Sequence, residues 1–100
     1  MLSPLGASPV SLRKRIGRRA RQARLAARRS QADVAQAAGV SLPTFQRFER
    51  GANVGFDVLA RVAIALQADR ELGELFALPD ARTIDEVLQR RALPLRGRTR

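Results

Sequence analysis

Phosphate recognition is the chemistry this sequence is equipped for. All of its 19 cations except Lys14 are arginine. A guanidinium presents paired N–H donors that fit a phosphate with two parallel hydrogen bonds. Acid–base and nucleophilic chemistry lack their parts. The sequence contains no cysteine, histidine or tyrosine, and so no thiolate, imidazole or phenol to serve as nucleophile, base or metal ligand. Its carboxylates are scattered over helix surfaces. A non-enzyme without metal or cofactor is therefore expected.

The charge is unevenly placed. Residues 1–32 carry nine basic and no acidic side chains, residues 33–89 carry five basic and nine acidic ones, and residues 90–100 add five arginines. An acidic middle is thus flanked by two basic segments, an arrangement suited to a polyanion. The arginine run over 13–29 would also suit a solvated helix face. Its apolar stripe is mostly alanine, too weak to bury in lipid. No apolar run reaches the roughly 20 residues of a membrane span. The Pro/Ser/Gly-rich start lacks the apolar core of a signal peptide. A soluble, cytoplasmic chain without a membrane partner is expected.

One hundred residues allow one domain. Residues 1–10 read as a flexible arm, because Pro4, Gly6 and Pro9 discourage structure. Ser11 is a candidate N-cap for a first helix to about Arg28, with Leu12, Ile16, Ala20, Ala23 and Ala27 as its apolar stripe. Ser30 caps a second helix that buries Val34, Ala35 and Ala38 and ends at Gly39. Ser41 caps a third, with Pro43 in its first turn and Phe45 and Phe48 facing inward; Gly51 ends it. Phe56 to Leu66 forms a fourth helix, and a fifth runs from an Asp69 cap to about Phe76. Thr83 to Glu86 has the form of a capping box for a short sixth helix to about Arg90. Residues 91–100 are too rich in arginine, Pro and Gly to order alone. The expected fold is all-α: a five-helix domain over 11–78, then an extension over 79–100 with a short helix and a basic tail.

The second and third helices, joined at Gly39, have the layout of a helix-turn-helix. Two helices that cross closely need a small residue at the crossing, and Ala35 stands there. With Phe45 and Phe48 inward, Leu42, Pro43, Gln46, Arg47 and Arg50 lie on or near the outward face. A major groove about 12 Å wide admits such a helix, and side chains of its N-terminal half meet base edges.

The runs SQADVAQAAGVS (30–41) and TFQRFERG (44–51) resemble the Xre/Cro/phage-repressor family of regulators. The likeness extends from about Ile16 to Leu66. It implies that Gln31 bonds a phosphate and buttresses the third helix, and that Ser41 also meets the DNA backbone. It implies that Leu42, Pro43, Gln46 and Arg47 face bases, with Thr44 and Arg50 beside them. It implies a buried ion pair between Arg24 and Glu49, which makes Glu49 structural. There are departures. Leu42 and Pro43 stand where relatives often place hydrogen-bonding side chains, and offer only apolar contact. The turn after Gly51 lacks the Lys or Arg of many relatives, leaving Asn53 and backbone N–H groups. Arg28 and Arg29 replace the Gly-Leu pair common before the Ser-Gln, and are candidates for the missing phosphate contacts.

A sequence-specific regulator of double-stranded DNA, acting as a repressor and as a homodimer, follows as the leading expectation. Its dimer surface would be Leu72, Leu75, Phe76, Leu78, Ile84, Val87 and Leu88, more apolar area than a five-helix domain needs to bury. The length and the Arg-rich end also resemble HipB-like antitoxins, which bind operator DNA and a kinase toxin together. Leu42 and Pro43 leave open a protein-interaction module with an inactive DNA face.

Overall fold

Ser8 sets where the first helix begins. In the computed structural model, which describes residues 7–79, α1 runs over Pro9–Ala26. The Ser8 hydroxyl accepts from the Ser11 N–H at 3.1 Å, and the Ser8 N–H donates to Ser11 Oγ at 2.9 Å. Ser11 is thus the inner half of a capping box rather than the cap, so the helix begins earlier than the sequence suggested. Pro9 is compatible with this because an N1 residue needs no donor. Pro9 and Val10 belong to the helix, not to an arm.

Among the described residues four further helices follow: α2 over Gln31–Ala38, α3 over Leu42–Glu49, α4 over Phe56–Ala65 and α5 over Asp69–Gly73. The described residues are all-α. Ser30 and Ser41 cap α2 and α3, their hydroxyls accepting from the Asp33 and Thr44 N–H groups. Asp69 does not cap α5. It is the first helical residue, after Ala68, where its charge still faces the positive helix end. α5 stops at Gly73, short of the expected Phe76, whose own φ is +67°.

One device ends each of the first four helices. A left-handed residue turns the chain, and the N–H after it returns to a carbonyl of the last turn. These bonds are Arg29 to Arg24, Val40 to Ala35, Ala52 to Arg47 and Ala68 to Ala63. Glycine fills the left-handed position at Gly39 and Gly51; Arg28 and Gln67 occupy it in the other two.

Phe45, Val34 and Val62 are the largest fully buried side chains. Ala20, Ala35, Ala38 and Phe48 complete the centre of the core. α2 packs on α3 and α4, and α1 packs on α3.

The buried face of α1 differs from the alanine stripe. Gly17, Ala20 and Arg24 are buried, with Arg13 half-buried, while Leu12, Ile16, Ala23 and Ala27 are exposed. The helix is rotated because Gly17 admits α3 against the bare backbone and Arg24 finds a buried acid, as shown below. Among the described residues no helix is long and apolar enough to cross a membrane. The capping box at 83–86, the residues Ile84, Val87 and Leu88, and the terminal arginines lie outside the described residues.

Candidate nucleic-acid interface

α2 and α3 are held close by small residues and a tight turn. Ala35 and Ala38 of α2 are buried, and Gly39 turns the chain at φ +72°. Ser41 then starts α3: its Oγ accepts from the Thr44 N–H at 3.2 Å and bonds the Thr44 hydroxyl at 2.8 Å. Phe45 and Phe48 pin one face of α3 into the core, their ring centroids 6.3 Å apart.

A chain of polar contacts fixes the rotation of α3. Arg24 donates from Nε to Glu49 Oε2 at 2.8 Å and from Nη2 to Glu49 Oε1 at 3.3 Å. Its Nη1 donates to the Arg29 carbonyl at 3.0 Å. Gln31 Nε2 donates to Glu49 Oε1 at 2.9 Å, and Gln46 Nε2 donates to Gln31 Oε1 at 3.1 Å. The sequence thus Arg24–Glu49–Gln31–Gln46 joins α1, α3 and the first turn of α2. Every buried side-chain polar atom among the described residues has a partner. That matters here because a half-satisfied buried network is costlier than an apolar core.

These contacts sort the residues expected at the interface. Ser41, Leu42, Pro43, Arg47, Arg50 and Asn53 are exposed. Pro43, Arg47 and Arg50 lie on the side of α3 away from Phe45 and Phe48, and Leu42 lies on its flank. Among the described residues no carboxylate pairs with Arg47 or Arg50. Gln31 and Gln46 are half-buried and already bonded to each other, so Gln46 is less free than its outward position implied. Thr44 is half-buried on Ser41.

The two arginines before Ser30 part company. Arg28 is exposed in the left-handed position at φ +57°. Arg29 is half-buried, and its Nη1 donates to the Ala65 carbonyl at 2.7 Å. There it closes the C-terminal end of α4, where a cation is favoured by the helix dipole.

Of the apolar surface expected at a dimer interface, Leu72 is half-buried, while Leu75, Phe76 and Leu78 are exposed, Phe76 to 89 %.

Two structural contacts of α1 escaped the sequence reading. A Cβ on Gly17 would meet the backbone of Phe48 and Glu49. Arg13 Nε donates to the Gly51 carbonyl at 3.0 Å. Their signal was present: Arg13, Gly17, Ala20 and Arg24 follow spacings of four, three and four residues, one helical face. Arginine and glycine do not score as apolar, so that face was hidden.

A family model described as a helix-turn-helix domain matches residues 15–76. No curated protein matches the chain.

Proposed function

Because the chain belongs to the helix-turn-helix domain family, we propose that it is a transcription regulator that seats α3 in the major groove of duplex DNA. The observation that carries this reading is the division of α3. One face is locked by Phe45, Phe48 and Glu49, and the other presents Arg47 and Arg50 without acidic partners among the described residues.

In this reading Arg47 meets a guanine edge, and Leu42 and Pro43 give apolar contact, for example to a thymine methyl. Gln46 contributes through the oxygen left free by its bond to Gln31. Ser41, Thr44, Arg50, Asn53, Gln31 and Arg28 are assigned to the sugar-phosphate backbone. Arg29 is left out, because its guanidinium already serves Ala65.

The regulator is a cytoplasmic repressor that works as a homodimer, since one recognition helix with so few polar readers gains specificity from a second half-site. Exposed Leu75, Phe76 and Leu78 support the dimer. The same patch is the observation behind the second reading, an antitoxin that seats a kinase-like toxin there.

The decisive experiment selects binding sites from random duplex DNA with the parent chain and with Arg47→Ala. An enriched palindrome, with preference flattened at one base pair per half-site by Arg47→Ala, is the expected result. Retention of the full preference by Arg47→Ala would sink the assignment of α3 as the reading element.

A further inference from the structure

Resting on the DNA-binding reading above, we propose that α1 carries a second backbone-binding surface: the line Lys14, Arg18 and Arg21, which grips phosphates of the duplex that α3 enters.

α1 contains no acidic residue, and Lys14, Arg15, Arg18, Arg19 and Arg21 are all exposed. None has a carboxylate partner among the described residues. The exposed arginines of α4 and α5 are treated differently. Arg61 is paired with Asp57, and Arg70 with Glu74, each four residues apart on its own helix. On α1 the same spacing sets like charges together, Lys14 with Arg18 and Arg15 with Arg19, which weakens a helix. The attraction of a bound polyanion offsets that repulsion.

Helical geometry divides these cations into two lines. At 100° per residue, Lys14, Arg18 and Arg21 fall within about 60° of one another on one flank of α1, and Arg15 and Arg19 fall on its back. The opposite flank is apolar, where Ile16 lines a groove with Phe56 and Leu59 of α4. From Lys14 to Arg21 the axial span is about 10 Å, comparable to three base-pair steps of 3.4 Å measured along the duplex axis.

The line also begins where α3 ends. A Cβ on Gly51 would come 2.8 Å from Lys14 Cα, and the neighbouring Arg13 bonds the Gly51 carbonyl. Gly51 follows Arg50 and leads to Asn53, two of the residues proposed to meet the backbone. The flank of α1 therefore extends the same basic surface, whereas Arg15 and Arg19 do not adjoin it.

The test measures full-chain affinity for duplex DNA against salt, on both a selected site and a fixed random sequence. Lys14→Gln/Arg18→Gln/Arg21→Gln is compared with the charge-matched Arg15→Gln/Arg19→Gln/Arg70→Gln. Gln keeps helix propensity close to that of Lys and Arg, and circular dichroism checks the helix. Each lost phosphate contact lowers the slope of log K against log salt by about 0.9. The flank variant is expected to lose nearly three units of slope and about 100-fold in affinity at 0.15 M salt on both DNAs. The back variant should change far less, and Arg18→Gln alone should lose about one unit. Equal losses in the two triple variants, or no loss in either, would overturn the proposal. Arg47→Ala separates the two readings: unaltered site preference removes the role of α3, while a flank-specific slope leaves the α1 surface standing.

Discussion

A Cβ on Gly17 would come 2.5 Å from the carbonyl oxygen of Glu49 and 2.7 Å from that of Phe48. α1 and the last turn of α3 therefore meet backbone to backbone. The contact places Arg24, two turns further along α1, against the Glu49 carboxylate. Gly17 is thus part of what orients α3.

Gly17→Ala is expected to destabilise the protein although alanine favours helix. Overpacking of this kind costs about 1–3 kcal/mol, more than the helix-propensity gain of roughly 1 kcal/mol. Gly73→Ala is the contrast, since a Cβ there meets nothing within 4 Å. It should be neutral or stabilising by up to about 1 kcal/mol. Urea denaturation of both variants checks the pair.

Arg24→Met should cost about 3–5 kcal/mol, because it leaves the Glu49 charge buried without its partner. Arg24→Met/Glu49→Leu should recover much of that loss. Glu49→Leu also strips an acceptor from Gln31, so recovery stays incomplete. A double-mutant cycle by denaturant melting measures the coupling. Stability of Arg24→Met equal to that of the parent would refute a structural role for the pair.

Arg28 and Gln67 hold left-handed backbones at φ +57° and +60°. A side chain there costs about 1–2 kcal/mol, partly offset by the greater unfolded freedom of glycine. Arg28→Gly and Gln67→Gly should each stabilise by about 0.5–1 kcal/mol, seen as a raised Tm. Under the proposed function Arg28→Gly should also flatten the salt slope of DNA binding by about 0.9. Gln67→Gly should leave that slope unchanged.

Leu75→Ser/Phe76→Ser should convert a homodimer to monomer with little loss of helix, because both side chains are exposed in the single chain. Sedimentation velocity over a concentration series provides the measurement. A parent chain that is monomeric throughout removes the homodimer and leaves the patch to a different partner.

Most of the fold was legible because its signals are local. Ser30, Ser41, Gly39 and Gly51 mark helix ends through caps and left-handed turns, and the inward faces of α2 and α3 follow apolar spacing. The orientation of α1 was not legible from hydropathy. Its inward face consists of Arg13, Gly17, Ala20 and Arg24, and three of these turn inward for reasons that act between helices. Gly17 yields to a carbonyl, Arg13 serves another, and Arg24 neutralises Glu49. The candidate interface divides likewise. Exposure of Arg47 and Arg50 follows from the α3 pattern, but Arg29 reaching Ala65 depends on where α4 ends, which no local pattern records.

The bond from Gln46 to Gln31 bears on how this scaffold could be retargeted. Gln46 stands beside the exposed face of α3, yet its amide closes the polar chain that ends at Arg24. A library randomised at 46 would select for folding and for specificity at once, and many of its members would fail on the first count. Among the described residues, positions 42, 43, 47 and 50 carry no such side-chain bond. Under the proposed function, a designer seeking new operators would begin with those four sites, and should hold Gln46 fixed or vary it only together with Gln31.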